Sequence, residues 1–151
     1  MLFRSVHLVG VSHPSPTKAN QFRDIDLTSI RVAVEAAKVV GVNHFVYLSV
    51  ASPAPIMHSY IEVRLEGEAL LRKSGMNATF IKPWYVIGPG RRWPLLVKPL
   101  YWIMGAFPQT RASAQRLGLV TIDQMTSAIV HSIEDPPHGI RVLDVPAIVS
   151  A

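Results

Sequence analysis

The sequence predicts an α/β fold with an open parallel sheet. Short apolar segments rich in β-branched and aromatic residues alternate with longer segments in which apolar residues recur at helical spacing. Strands and helices that alternate in this way are joined by right-handed crossovers, which place the strands parallel to one another. Of the 151 residues, 49% are hydrophobic and 17% are charged, so the chain is able to bury a core and lacks the composition of a disordered protein.

The first predicted strand covers residues 5–11, which are mostly apolar. Residues 12–16 contain two prolines, and each proline disfavours helical backbone in the residue before it, so we expect a loop at the end of this strand. A helix is predicted next. Its apolar residues recur at helical spacing from Asp26, which we expect to be the N-cap, to Val40, and Gly41 lies just past its end.

Residues 45–48 form the second predicted strand, because they are apolar and flanked by turn residues. A proline-containing loop leads into a helix predicted from about Ser59 to Lys73, which Gly75 closes. Residues 78–81 are the third predicted strand. These three elements make a strand, a helix and a parallel strand in succession.

Beyond Gly90 the pattern is less regular. Residues 94–106 predict a helix kinked at its proline. Residues 121–124 have the spacing of a capping box and predict the start of another helix, which ends at about Ile133. Residues 140–145 are rich in apolar and β-branched residues, so they predict the final strand.

The net charge of +5 is distributed unevenly. No acidic residue lies between Glu68 and Asp123, whereas eight lysines and arginines do. This basic segment is typical of a solvated basic face; the functional alternative is attraction to an anionic ligand, such as a phosphate-bearing cofactor, or to a membrane surface. The charges are not interleaved with glycine and aromatic residues, so we predict no nucleic-acid partner.

Several classes of protein are disfavoured by the composition. No run of eighteen apolar residues exists, which predicts no transmembrane segment, and no signal-peptide pattern precedes the first strand. The chain has no cysteine, so disulfides and thiolate chemistry are excluded, and a cytoplasmic location is favoured. The six histidines lack metal-ligand spacing, and no Gly-x-Ser-x-Gly motif supports a hydrolase, so we predict no metal site.

Tyr60 and Arg64 are the most suggestive pair of side chains. They are four residues apart, so a helix places them on one face, between two strands whose ends carry polar groups. Ligands of open α/β sheets bind beyond the C-terminal ends of the strands. A neighbouring cation favours phenolate, so we expect Arg64 to make Tyr60 a proton relay near neutral pH. A surface pair without function is the alternative.

The whole block resembles a known family. The segments 46–49 (Val-Tyr-Leu-Ser), Tyr60-x-x-x-Arg64, 74–83 (Ser-Gly-Met-Asn-Ala-Thr-Phe-Ile-Lys-Pro) and 88–90 (Gly-Pro-Gly) are similar to the short-chain dehydrogenase/reductase superfamily, above all to its atypical NmrA-like and epimerase-like members. The resemblance runs from about Val6 to Glu134. It implies NAD or NADP as the cofactor and a partial Rossmann-like doubly wound parallel sheet, the second half of an NAD(P)-binding fold.

The resemblance also implies roles for individual residues. Tyr60 corresponds to the family's acid/base tyrosine, Arg64 to the lysine that holds the nicotinamide ribose, and Ser49 to the strand-end serine that orients the substrate oxygen. Asp26 corresponds to an asparagine near the start of a helix, and residues 91–151 to the region that shapes the substrate site. The remaining expected cofactor contacts are at the first strand end and at the turn that meets nicotinamide: Leu8, Val9, Gly10, Pro83, Trp84, Tyr85 and Val86.

Departures from the family pattern affect the expected activity. Arg64 replaces a lysine, Asp26 replaces an asparagine, and Ala51 stands where the family has a second hydroxyl. No glycine-rich turn, which would hold the pyrophosphate, precedes the first strand. We therefore expect that the first three strands of the family's sheet are missing, that residues 5–11 form an unpaired apolar edge, and that the chain self-associates through this edge.

Two functions follow as hypotheses for residues 1–151, taken as one domain. The first is an NAD(P)-binding oxidoreductase or epimerase/dehydratase acting on a small molecule, with its activity impaired in this chain. The alternative is a non-catalytic assembly or regulatory protein that retains the fold, as the dehydrogenase-like accessory subunit of respiratory complex I does. An aromatic set would either wall a substrate pocket or belong to the core; it comprises Trp84, Tyr85, Trp93, Tyr101 and Trp102.

Overall fold

The computed structural model describes residues 3–88 and 117–151, which fold around a four-stranded parallel sheet. The strands of the described residues are β1 Arg4–His7, β2 His44–Leu48, β3 Asn77–Ile81, β4 Tyr85–Ile87, β5 Leu119–Thr121 and β6 Ile140–Leu143. The main sheet has the order β1-β2-β3-β6. A second, two-stranded parallel sheet pairs β4 with β5.

A continuous helical stretch of mixed geometry connects β1 to β2. It begins with a 3-10 turn at Pro16–Lys18, continues as α1 (Ala19–Gln21) and a π-helical segment at Phe22–Leu27, and ends as α2 (Thr28–Val39). The prediction that Asp26 is an N-cap is wrong. The chain is already helical before this residue, so no free helix start remains for its carboxylate to cap, and the side chain is buried instead.

The helix between β2 and β3 matches its prediction closely. α3 spans His58–Ser74, and Gly75 ends it in the left-handed conformation at φ 73°. In the C-terminal part, the predicted capping box is confirmed, because Thr121 and Gln124 bond reciprocally at the start of α4 (Ile122–Glu134).

The chain end departs from its prediction. The final strand stops at Leu143, and Asp144 caps a short helix, α5 (Val145–Ser150), which the sequence analysis missed. The predicted helix at 94–106 lies outside the described residues. Within the described part of the chain, none of the helices has the length and apolar character that crossing a membrane requires.

Both faces of the main sheet are covered, as in doubly wound folds. Side chains alternate along β2, so Phe45 and Tyr47 pack on the α2 and α3 side while Val46 packs on the α4 and α5 side. All three are fully buried. The predicted near-continuous apolar strand is thus explained by helices on both faces.

β1 lies at one end of the sheet. Among the described residues it pairs with β2 alone, and Val6, Leu8 and Val9 are 39%, 50% and 50% exposed. The strand is shorter than the predicted 5–11, because the residues beyond His7 run past the last register pair, His7 with Tyr47. The expected self-association through this edge stays a prediction.

The side chain of His7 on β1 should make stability depend on pH. It is buried between the rings of Phe45 and Tyr47, at centroid distances of 6.3 and 5.8 Å, and neither ring nitrogen has a hydrogen-bond partner in the described structure. Burial, assisted by the charge of Arg64, lowers the pKa of His7 below its ordinary value. As the pH falls below about 6.5, the unfolded chain therefore binds a proton that the folded chain resists, and stability decreases.

We accordingly expect the Tm to fall on acidification from about pH 7.5 to about pH 5, and to fall less in a His7→Phe variant, whose ring fits the same stack without titrating. Thermal denaturation followed by circular dichroism measures both slopes. The pKa of His44 is also lowered by burial, so part of the slope should remain in the variant. Identical slopes in the two proteins would contradict this role of His7.

Candidate functional site

A cavity of about 350 Å³ lies beyond the C-terminal ends of β2 and β3, at the start of α3. The strand ends are held together beyond the sheet, because the Ser49 amide donates to the Ile81 carbonyl at 2.8 Å and the Ala51 amide donates to the Pro83 carbonyl at 3.0 Å. This is the position at which parallel α/β sheets bind ligands. The lining residues are Pro14, Leu48, Ser49, Val50, Ile56, Met57, Tyr60, Pro83, Trp84, Tyr85 and Val86.

The structure brings six of the predicted site residues together in this cavity. Ser49 comes from the end of β2, Tyr60 from the first turn of α3, and residues 83–86 from the turn after β3. Trp84 and Tyr85 pack edge to face, with ring centroids 5.6 Å apart. These two aromatic residues thus line a cavity, whereas Trp93, Tyr101 and Trp102 lie outside the described residues.

Tyr60 is partly buried beside the cavity. Its ring packs edge to face on Phe22 at 5.1 Å, and the guanidinium carbon of Arg64 lies 5.2 Å from its ring centroid. Burial raises the pKa of Tyr60, and this effect outweighs the opposing effect of the Arg64 cation. The prediction that Tyr60 approaches phenolate near neutral pH is therefore wrong. Burial removes water from the phenolate, which raises the pKa. This effect is larger than the lowering by the Arg64 cation, which is already paired with a carboxylate.

Arg64 is 3% exposed and binds other parts of the protein. Its Nη2 donates to Asp26 Oδ1 at 2.7 Å, and its Nη1 donates to the Leu48 carbonyl at 2.8 Å. Nη2 also reaches the Val9 carbonyl at 3.3 Å. Arg64 therefore ties α3 to the ends of β1 and β2 and to the π-helical segment. Its expected contact with a nicotinamide ribose stays a prediction.

Asp26 and Gly10 complete this buried ion pair. The other oxygen of Asp26, Oδ2, accepts a hydrogen bond from the Val11 amide at 3.1 Å. A Cβ at position 10 would overlap Arg64 Nη2 and would lie 3.0 Å from Asp26 Oδ1. The Arg64 guanidinium therefore explains why position 10 is glycine, because a side chain there would occupy the space that the guanidinium fills.

The predicted cofactor contacts at the end of β1 form a second group. Leu8 and Val9 are half exposed and lie outside the cavity lining, and Gly10 borders the ion pair. Asp26 is buried, and its carboxylate accepts from the Val11 amide. The structure therefore separates the predicted residues into a cavity group and a β1-end group, with Arg64 between them.

A second charged cluster, which the sequence analysis missed, lies behind Ser49. The Ser49 hydroxyl donates to Glu68 Oε1 at 2.5 Å, and Lys82 Nζ lies 2.9 Å from the same oxygen. Glu68 is buried at 5% exposure. The available signal was the spacing of four residues that puts Tyr60, Arg64 and Glu68 on one face of α3. Because the only hydroxyl proton of Ser49 is donated to Glu68, its oxygen is left to accept from a ligand.

No protein-family model and no curated protein matches this sequence, and the similarities found are to solved structures. MoeE5 in complex with UDP-glucose and NAD superposes with a TM-score of 0.68 at 18% identity, over 97% of this chain and 60% of that chain. UDP-glucuronic acid 4-epimerase from Bacillus cereus in complex with NAD gives a TM-score of 0.63 at 14% identity, over 92% of this chain and 53% of that chain.

A short-chain dehydrogenase/reductase superfamily protein from Agrobacterium tumefaciens with bound NAD is similar to the same degree. Its TM-score is 0.64 at 15% identity, over 97% of this chain and 63% of that chain. The chain thus spans between 53% and 63% of the length of these three structures. At this identity the likeness establishes the fold, so the predicted Rossmann-like parallel α/β fold and the resemblance to this superfamily's fold are confirmed.

Proposed function

We propose that this chain is an NAD(P)-binding domain of the short-chain dehydrogenase type, with oxidoreductase or epimerase/dehydratase chemistry centred on Tyr60. The observation that carries the proposal is the cavity at the strand ends, which is lined by six residues that the sequence resemblance had assigned to the site. The bound NAD in structures of the same fold supports it. The size and the mostly apolar walls of the cavity suit a nicotinamide ring.

The residues present fit one end of the dinucleotide. Residues 83–86 and Leu48 would surround the nicotinamide, and the half-exposed Leu8 and Val9 would contact the dinucleotide beyond it. The sequence has no glycine-rich turn for the pyrophosphate. When bound, the nicotinamide supplies or accepts a hydride. We therefore expect the nicotinamide half to provide most of the binding.

Within this proposal, Tyr60 donates a proton to a substrate oxygen, because its raised pKa keeps the phenol protonated near neutral pH. Ser49 accepts a hydrogen bond from a substrate hydroxyl, since its own proton is given to Glu68. Arg64 acts as a positioning residue, because its guanidinium is buried against Asp26 while it packs over the Tyr60 ring. This geometry favours positioning over a direct ribose contact.

Cofactor titration tests the proposal. NADH and NADPH should each give saturable changes in nucleotide fluorescence on binding to the 151-residue chain. Reduced nicotinamide mononucleotide should bind within about tenfold of NADH, because the cavity holds the nicotinamide end. AMP, which carries only the adenine half, should compete poorly. Saturable binding by none of the nicotinamide compounds would remove the cofactor from the proposal.

Self-association through the edge of β1 is the second property that we propose. Size-exclusion chromatography with light scattering should give a mass above the 16.7 kDa of one chain. Val6→Lys should shift the mass towards the monomer, since lysine on an edge strand opposes pairing. Val39→Lys is the matched control, because Val39 is 85% exposed at the end of α2. A sharp monomer peak for the unmodified chain would contradict this property.

A non-catalytic scaffold is the second candidate function. The observation in its favour is that Arg64 and Ser49 both bond to buried carboxylates of the protein, Asp26 and Glu68. In a scaffold these contacts would only stabilise the fold. We also propose a cytoplasmic location, which the lack of cysteine supports.

A further inference from the structure

We propose that Phe22 is a positioning residue for Tyr60, which holds the Tyr60 ring at the wall of the strand-end cavity and shields it from water in a neighbouring cavity. The inference rests on the proposed function and names the side chain that holds the proposed proton donor in place. Its basis is the packing around the Tyr60 ring and the element that supplies this packing.

The ring of Tyr60 contacts two side chains that fix its orientation. Phe22 is fully buried, and its ring packs edge to face on Tyr60 with centroids 5.1 Å apart and an interplanar angle of 61°. The guanidinium carbon of Arg64 lies 5.2 Å from the Tyr60 centroid. Aromatic pairs favour the edge-to-face arrangement, and a cation favours the face of a ring, so both contacts resist rotation of the Tyr60 side chain.

Both contacts depend on one short element. Phe22 begins the π-helical segment Phe22–Leu27, and Asp26 of the same segment binds Arg64 at 2.7 Å. The segment therefore holds Tyr60 directly through Phe22 and indirectly through the Asp26–Arg64 ion pair. Short π-helical segments are rare and occur frequently at functional sites. Here the segment turns two buried side chains towards α3, which carries Tyr60.

A second cavity explains why the Tyr60 ring needs this support. It has a volume of about 330 Å³ and is lined by Phe22 and Tyr60 together with Pro16 and residues 55–59. Tyr60 also lines the strand-end cavity, whereas Phe22 does not. The ring thus borders open space on two sides. Phe22 limits its movement away from the strand-end cavity, because it occupies the wall of the second cavity next to the ring.

Burial by Phe22 also affects the protonation of Tyr60. Burial raises the pKa of Tyr60, and among the charged groups around it Arg64 opposes this effect while Asp26 adds to it. His58, the other ionisable side chain among the described residues of the second cavity wall, is exposed to solvent. Loss of the Phe22 ring would admit water to the phenol from the second cavity, so the pKa of Tyr60 would fall.

Carbon-13 NMR of the 151-residue chain, labelled at Cζ of its tyrosines, tests the inference. The chain has four tyrosines, and the signal that is absent from Tyr60→Phe identifies Tyr60. Its shift, followed from about pH 8 to about pH 11, reports the ionisation of the phenol. We expect Phe22→Leu to lower the pKa of Tyr60 relative to the unmodified chain, because leucine lacks the ring. Phe22→Met, which also lacks the ring, should act in the same direction if Phe22→Leu does not fold.

Phe80→Leu is the matched control. Phe80 is fully buried in the same core and also packs edge to face on a tyrosine, Tyr47, with centroids 6.3 Å apart. It lines neither of the two cavities. Phe80→Leu should therefore lower the Tm, as Phe22→Leu does, and leave the pKa of Tyr60 unchanged. Loss of core packing alone thus does not produce the expected result.

The outcomes separate this inference from the proposed function. An unchanged pKa of Tyr60 in a folded Phe22 variant overturns the inference, and so does an equal fall of this pKa in Phe80→Leu. NADH titration of the same samples tests the proposed function, and the comparison of pKa values does not depend on its result. If Tyr60 responds to Phe22 in a chain that binds no NADH, the positioning contact is supported and the proposed function fails.

Discussion

Arg64→Met should lower the free energy of unfolding by about 3–5 kcal/mol, because it leaves the carboxylate of Asp26 buried without its cation. Asp26 and Arg64 have side-chain exposures of 0% and 3%, so water does not replace the lost partner. Methionine keeps much of the packing volume, which makes the loss of charge the main change. Urea denaturation followed by circular dichroism measures the difference.

A matched control lies on the same helix. Arg72 is 50% exposed, and its Nη2 is 3.9 Å from Glu68, so Arg72→Met removes a solvent-screened pair and should cost less than about 1 kcal/mol. The double variant Asp26→Asn/Arg64→Met should be more stable than the sum of the single effects implies, since it leaves no buried charge unpaired. Additive effects, or equal costs for Arg64→Met and Arg72→Met, would contradict the structural role assigned to the pair.

The elements that sequence predicted well are those whose signals are local. α3 could be predicted because its apolar spacing is regular and Gly75 supplies the left-handed residue that ends it. β2 and β3 could be predicted because both faces are covered and most of their residues are apolar. The position of the cavity could be predicted as well, because parallel strands of one sheet end at the same edge and ligands bind there.

The partners of the charged residues could not be predicted in this way. The spacing of Tyr60 and Arg64 places them on one helix face, but the partner of Arg64 is Asp26, 38 positions away and on a different element. The π-helical segment that turns Asp26 inwards has no periodicity that distinguishes it from α-helix in the sequence. In the family pattern, Asp26 and Arg64 each replace a different residue. The resemblance identified both replacements but did not predict that the two side chains pair with each other.

The pKa of Tyr60 was predicted in the wrong direction for a related reason. A neighbouring cation is visible in the sequence, whereas the depth at which the phenol is buried depends on Phe22 and on the loop before α3. Burial dominates, and the pKa rises. A phenol with a raised pKa stays protonated at neutral pH, as the proposed role of Tyr60 as a proton donor requires.

Tyr60→Phe should lower the rate of the NADH-dependent reaction proposed for this chain by about 10²- to 10⁴-fold, with little change in NADH affinity or Tm, because it removes the proton donor and keeps the ring. Since the raised pKa keeps the phenol protonated, the rate in the unmodified chain should stay level from about pH 6 to about pH 9 and fall only above about pH 10. Stopped assays of NADH consumption across this range measure both effects.

Tyr47→Phe is the matched control for this experiment. Tyr47 is buried in the core, burial raises its pKa to about 12, and its hydroxyl has no hydrogen-bond partner in the described structure and lies against Gly67. Removing that hydroxyl should leave the rate within about twofold, because the group is away from the cavity lining. A rate that Tyr60→Phe leaves equally unchanged, in a chain that still binds NADH, would favour the scaffold function, in which Tyr60 and Arg64 serve only to join α3 to the strand ends.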